Sequence, residues 1–252
     1  MVKALPITEQ RPPEQRKVWF PENRSLGELY VVDSSGKSEF LGEATGLIEV
    51  PPGTSLSLYY SFDPTYGLSP LSQVSPEALA SISFLGSDIT DEELCGIGRL
   101  VGLREIDISC TAIGDYGVAH LAPLVRLTKL NLSSTKVTDQ GLTVLSHLQH
   151  LEELVLDDTH IGDGGLSLIA QLPRLKTLSL SFTRVTNKGL PRLKEVGKLE
   201  RLRLNCTRIG DDGLTHVARM KSLKELWVRS TDVTYPGLVE LTKWLCDCEI
   251  IR

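Results

Sequence analysis

Five histidines, five cysteines and a row of acidic residues are the side chains of this 252-residue chain that could do chemistry. The histidines are His120, His147, His150, His160 and His216, and none shares a face with a Cys or carboxylate at ligand spacing. They are expected to be solvated surface groups rather than bases or metal ligands. Cys246 and Cys248 form a C-x-C, but no second pair completes a zinc site. Gly162-Asp163-Gly164-Gly165 has the look of a phosphate loop without the Lys and following Ser/Thr that such a loop needs. No Ser-His-Asp grouping stands out, although folding could assemble one from distant positions. Asp91, Asp115, Asp139, Asp163, Asn187 and Asp211 recur at a fixed interval. That row could be read as metal ligands, but the interval is better explained by helix starts, where Asp and Asn cap orphan amides and meet the positive end of the dipole. No catalytic, metal or cofactor site is therefore expected.

The element that positions these residues is a 24-residue unit, with copies opening at Leu79, Leu103, Leu127, Leu151, Leu175, Leu199 and Leu223 without insertion or deletion. A fixed period of this length is the mark of a solenoid. The unit reads L-x-x-L-x-L-x-x-T-x-I-x-D-x-G-L-x-x-L-x-x-L-x-x. Positions 4 and 6 are apolar in every copy, as in Leu154 and Leu156. That alternation predicts a short strand with one buried face. Position 11 is always Ile or Val, and positions 16, 19 and 22 are apolar at helical spacing, as in Leu142, Leu145 and Leu148. Gly at position 15, from Gly117 to Gly237, is expected to allow close packing between neighbouring units. One unit buries too little to offset about 1–2 kcal/mol of backbone entropy per residue, so the units must stack. Strands then form one parallel sheet inside, helices lie outside, and the wider helices make the stack curve.

This pattern resembles the leucine-rich repeat family over about two thirds of the chain. Thr138-Asp139-Gln140-Gly141-Leu142 is similar to the bacterial and F-box-type repeats with a helical outer side. The family usually carries Asn or Cys at position 9, where this chain has Ser87 and then Thr111, Thr135, Thr159, Thr183, Thr207 and Thr231. A hydroxyl can still donate and accept in the turn. The fold expected is thus α/β, a leucine-rich repeat solenoid with a small N-terminal β cap.

Residues 1–24 are polar and proline-bearing and are expected to be an extended leader, anchored by Trp19 and Phe20. Residues 25–62 read as a β-meander, with strands at Leu29–Val32, Leu47–Val50 and Leu56–Tyr60. Val50-Pro51-Pro52-Gly53-Thr54 weakly resembles the strand-PxG-strand pattern of PEGA-type modules; the simpler reading is a cap over the exposed end of the solenoid. Residues 63–78 form a connecting half-unit, residues 79–246 the seven repeats, and residues 247–252 a strand covering the last edge.

A net charge of −5 and a pI of about 5.6 argue against general nucleic-acid or anionic-membrane binding. Cys110 and Cys206 both occupy position 8, four units and roughly 19 Å apart, far beyond the ~7 Å that a disulfide tolerates. Five free thiols imply a reducing compartment. MVKALPITEQ lacks the apolar segment of an export signal, and no stretch approaches about 18 apolar residues. The expectation is a cytoplasmic monomer with no cofactor.

Function in such an architecture falls to the concave sheet, whose exposed side chains sit at positions 3, 5, 7 and 8. Acidic groups gather in the second to fourth units, and Arg with two aromatics in the fifth to seventh. Seven strands span about 29 Å, enough for a contact near 800 Å² per partner. Trp and Arg are enriched at binding hot spots. The candidate protein-binding residues are Val155, Asp157, Asp158, Phe182, Arg203, Trp227 and Arg229, with Phe182, Arg203, Trp227 and Arg229 as the anchor. The competing reading packs Trp227 under the C-terminal strand and pairs the Arg residues with Glu200, Glu225 and Asp157. The leading function is a non-catalytic protein-interaction module. The alternative is a regulatory or effector subunit selecting substrates for an enzyme acting in trans, and a hydrolase seated in the N-terminal module is a distant third.

Overall fold

The computed structural model describes residues 16–252. Five strands come first: β1 (Arg16–Trp19), β2 (Gly27–Val32), β3 (Ser38–Glu43), β4 (Leu47–Val50) and β5 (Ser55–Tyr60). The seven units then supply β6 (Ser81–Ser83), β7 (Glu105–Asp107), β8 (Lys129–Asn131), β9 (Glu153–Val155), β10 (Thr177–Ser179), β11 (Arg201–Arg203) and β12 (Glu225–Trp227), followed by β13 (Glu249–Ile251). The sheet of eleven strands runs β13-β12-β11-β10-β9-β8-β7-β6-β5-β2-β3. Every pair from β5 to β13 is parallel, in a register that stacks like positions: Leu154 beside Leu178 beside Leu202 beside Leu226. These leucines are completely buried and open one continuous core along the stack.

The ladder outlasts the strands. At position 8 the N–H of Cys110, Ser134, Asp158, Phe182 and Cys206 reaches the next unit's position-7 carbonyl at 2.8–2.9 Å. The backbone there is left-handed: φ is 66° at Gly86 and 53–59° at Cys110, Ser134, Asp158, Phe182, Cys206 and Ser230. A side chain there costs roughly 1–2 kcal/mol. Position 9 closes the turn, its Thr hydroxyl donating to the position-6 carbonyl, as from Thr159 to Leu156 at 2.6 Å.

The position-13 acids do not cap their own helices. The helices of the even units, α1 (Asp115–Ala119), α2 (Asp163–Ile169) and α3 (Asp211–Val217), begin at these residues with no side-chain cap bond. Each carboxylate instead reaches position 12 of the next unit. Asp91 and Asp139 accept from Gly114 and Gly162 N–H, both at 2.7 Å, and Asn187 accepts from Gly210 N–H at 2.8 Å. Asp115, Asp163 and Asp211 accept twice, from the N–H and the hydroxyl of Thr138, Thr186 and Thr234 at 2.6–2.8 Å. Position 15 must be Gly for the same reason: a Cβ at Gly165 would stand 2.7 Å from Asp139 Oδ1, and one at Gly237 would stand 2.1 Å from Asp211 Oδ1.

Position 12 therefore alternates Thr and Gly, a 48-residue period within the 24-residue one. The outer helix alternates with it: 3₁₀ turns at Glu93–Arg99, Gly141–Ser146 and Leu190–Glu195 where position 12 is Thr, and α1–α3 where it is Gly. The last unit departs from the pattern, with α4 (Tyr235–Thr242) capped by Thr234, which accepts from Gly237 N–H. Thr90, with no unit before it to bridge, exchanges bonds with Glu93 in a capping box.

At the N-terminal end β1 pairs with β4 in a separate antiparallel ribbon, so part of the expected leader is strand; residues 1–15 lie outside the described residues. Val18 and Phe20 are buried, whereas Trp19 is 56% exposed and anchors nothing. The strand β3, absent from the sequence reading, hides because its edge position leaves most of it exposed and removes the alternation. The β2–β5 pair is antiparallel while β5–β6 is parallel, and this joins the N-terminal strands to the repeats in one sheet. Trp244, at a position where the other units bury an apolar residue, is 60% exposed; Leu245 fills the core in its place.

Candidate interaction face

Among the described residues no group of three or more His, Cys, Asp or Glu could hold a metal ion, and no helix is long and apolar enough to cross a membrane. All five cysteines are free, and burial pushes the Cys248 thiol up to about 11, which keeps it protonated and unreactive. Organised side chains lie instead on the open face of the sheet, opposite the helices.

Its C-terminal part is built from positions 5, 7 and 8 of neighbouring units. Register sets Arg203 beside Trp227 and Trp227 beside Ile251. The Arg203 guanidinium lies over the indole, 4.7 Å from its centroid, an attraction of roughly 0.5–1 kcal/mol at an exposed site. Trp227 is half-buried between Arg203 and the C-terminal strand. Glu200 pairs with Lys224 at 2.9 Å and Glu225 with Arg201 at 3.6 Å. Arg203 and Arg229 are exposed and form no ion pair among the described residues. Phe182 is 61% exposed with φ 59°. It is the one large apolar side chain at a position otherwise occupied by Gly, Cys, Ser and Asp.

The fifth unit closes where openness was expected. Thr177, Ser179 and Ser181 are buried. Asp157 Oδ1 accepts the Ser179 hydroxyl at 2.6 Å and the Ser181 N–H at 2.7 Å, and Arg201 donates to Thr177 at 3.0 Å. Asp157 thus ties the fourth unit to the fifth. Asp158 stays exposed, accepting from Ser134 at 3.1 Å. Val155 is half-buried, two strands from Arg203 in the same row, and lines a trough of about 520 Å³ with Tyr59, Ser83, Leu85, Asp107 and Asn131.

That trough runs onto the N-terminal strands, whose part in this face the sequence reading passed over. Tyr59 continues the position-5 row beside Ser83, and Tyr30 stands beside Ser57. Tyr30 meets Phe40 and Tyr59 edge-on, at centroid distances of 5.5 and 5.1 Å. Phe40, Tyr59 and Leu85 are all more than half exposed. The buried alternation of Leu56, Leu58 and Tyr60 already implied that Tyr59 points the other way. Nothing in the sequence marked Phe40. The Tyr30 hydroxyl donates to Glu28 at 2.9 Å, and this bond holds its pKa above the ordinary tyrosine value. Farther along, Lys129 pairs with Glu105 at 2.8 Å, and Glu105 raises the lysine pKa.

The leucine-rich repeat family model matches residues 127–146, 147–170 and 198–218, all inside the seven units. Among solved structures, an internalin (inlF) from Listeria monocytogenes superposes with a TM-score of 0.60 at 21% identity over 77% of this chain. An internalin C2 (inlC2) from the same organism gives 0.50 at 22% identity over 70% of this chain and 81% of its own. The chain spans about half the length of the first of these, 52% of it. At such identities the likeness is one of fold. No curated protein matches the chain.

Proposed function

We propose that this leucine-rich repeat protein is a non-catalytic interaction module that takes a protein partner on the open face of its sheet, anchored at Phe182, Arg203, Trp227 and Arg229. Such solenoids are protein-interaction scaffolds, and the finer assignment rests on the state of these four residues. The observation that carries it is Phe182: a bulky aromatic, exposed, in a backbone conformation that disfavours it. Strain kept at an exposed residue points to a use. On the next two units stand two cations without an acidic partner and a half-buried indole already desolvated on one side. Aromatic and Arg side chains of this kind dominate binding energy at protein interfaces. Unpaired guanidinium groups fit a partner with carboxylates, which Arg binds in a bidentate fork. Asp158 and Val155 lie at the margin of the contact, and Asp157 acts through the fold.

The test is capture of a partner by wild-type protein, followed by Trp227→Ala and Arg203→Glu. Each is expected to weaken binding about tenfold or more, the loss of ≥ 1.4 kcal/mol typical of a hot spot. Full affinity in both variants would remove the anchor.

A further inference from the structure

The N-terminal end of the same face is built for the opposite charge. β2 and β3 place Glu28 directly across from Glu43, and β5 places Tyr59 on the other side of Glu28. Like charges directly opposite each other across strands are destabilising. Neither carboxylate forms an ion pair among the described residues: Glu28 accepts only from the Tyr30 hydroxyl, and Glu43 from Ser25. Both line a hollow of about 450 Å³ with Ser25, Tyr59, Ser83 and Leu85, and this hollow shares Tyr59, Ser83 and Leu85 with the 520 Å³ trough. Of the aromatic row, Tyr59 lines both, with Tyr30 packed edge-on against it and Phe40 beyond.

Three features thus coincide: a run of neighbouring aromatics of which Phe40 and Tyr59 are more than half exposed, two unneutralised carboxylates across from each other, and a hollow lined by both carboxylates and Tyr59. Aromatic faces attract a cation through the ring quadrupole, and adjacent carboxylates add charge to that attraction. Gly27 fixes the geometry. Its φ is 125°, and a Cβ there would lie 2.0 Å from the Tyr59 carbonyl oxygen, so β2 and β5 approach as only glycine permits and hold Glu28 beside Tyr59.

We infer that this hollow and the trough beside it dock an extended, lysine- or arginine-bearing segment of the partner protein, its cationic side chain held in the hollow between Tyr59, Glu28 and Glu43. This rests on the reading that the open face takes a protein partner and adds the direction in which the partner lies: its basic end over the N-terminal strands, its acidic end over Arg203 and Arg229.

The test uses fluorescence anisotropy with two labelled peptides of equal length, one alternating lysine and serine, the other glutamate and serine. The lysine peptide is expected to bind the wild-type chain and to lose about tenfold in affinity with the double variant Glu28→Gln, Glu43→Gln and with Tyr59→Ala. Trp227→Ala is expected to leave it unchanged. The glutamine pair keeps shape and hydrogen bonds while removing the repulsion, so its melting temperature should equal or exceed the wild-type value. Equal binding of the glutamate peptide, or unchanged binding of the lysine peptide to the double variant, overturns the inference. So does concentration-dependent dimerisation abolished by Tyr59→Ala, which would make a second copy of the chain the occupant. Because Trp227→Ala is read with the captured partner and the glutamine pair with the lysine peptide, failure of one site is separable from failure of the other.

Discussion

Removing the Asp163 carboxylate should open the solenoid between its fourth and fifth units. Asp163 Oδ1 accepts the Thr186 N–H at 2.8 Å and Oδ2 accepts the Thr186 hydroxyl at 2.7 Å. A hydrogen bond to a charged group contributes about 1.5–3 kcal/mol, so the two together set a ceiling near 6 kcal/mol. Water reaches the half-exposed carboxylate and will replace part of this, which brings the expected loss for Asp163→Ala to about 2–4 kcal/mol. Asp139→Ala gives an internal scale. It deletes a single bond, from Gly162 N–H at 2.7 Å, and should cost about half as much. Urea unfolding gives the free energies, and hydrogen exchange gives the location: the Thr186 amide should lose protection before amides two units away, since each unit contacts only its neighbours. The capping alternative makes a different forecast. Ser is a good cap, so under that reading Asp163→Ser would keep the stability. The ladder requires a side chain that spans the gap between units, and Ser is too short. Wild-type stability in Asp163→Ser would refute the ladder.

Gly165→Ala places a methyl 2.7 Å from Asp139 Oδ1 and 3.0 Å from Ile161 and Leu142; thermal unfolding should show a loss of about 1–3 kcal/mol, typical of overpacking. Phe182→Asn puts a residue tolerant of left-handed backbone where Phe is strained and should raise stability by about 1 kcal/mol while weakening partner binding; a drop in melting temperature would contradict the strain argument. The Tyr60 hydroxyl donates to Gly67 at 2.7 Å, and burial pushes its pKa up to about 12. The folded chain therefore keeps a proton that the unfolded chain releases near pH 10. Stability is full below pH 10 and falls by roughly 2–3 kcal/mol between pH 10 and 12. Unfolding midpoints across that range should decline less in Tyr60→Phe; parallel curves for the two proteins would argue against it. The Thr234 hydroxyl and N–H hold Asp211 below the usual carboxylate range. Its bridge to the last unit is therefore present above the ordinary aspartate pKa and weakens as pH falls through the folded value; the Thr234 amide should lose exchange protection in acid, and Asp211→Asn should remove that pH dependence.

The period was legible because it repeats: positions 4, 6, 11, 16 and 19 carry apolar side chains whose burial depends on periodicity alone. Position 13 was misread because the same Asp is chemically suited to two jobs, and only the spacing between units decides that it bridges rather than caps. The Thr and Gly alternation at position 12 stood in the sequence as plainly as the leucines, but its meaning depends on the Asp one unit earlier. On the open face, Arg203 and Trp227 could be placed from register alone. The burial of Ser179 and Ser181 could not, because it follows from Asp157 and Arg201 reaching across strands. The strand β3 was lost for the opposite reason: an exposed edge leaves no periodic trace.

The sealed strand of the fifth unit gives the face its logic. Between the acidic trough and the cationic anchor lie Thr177, Ser179 and Ser181, buried and offering no side chain to grip. From β5, which carries Tyr59, to β12, which carries Trp227, there are seven strand spacings, or about 34 Å. An extended chain advances about 3.3 Å per residue, so one segment touching both ends needs at least ten or so residues. Shorter peptides can occupy one end only. Joining a basic and an acidic segment through a linker of that length makes the second contact intramolecular, and affinity should then rise by orders of magnitude over either segment alone. Joining two basic or two acidic segments instead sets one of them over an end of its own charge and should give no such gain. The basic–acidic peptide, measured beside the basic–basic and acidic–acidic peptides at equal linker length, therefore separates charge-directed docking from simple adhesion: adhesion would make all of them bind alike.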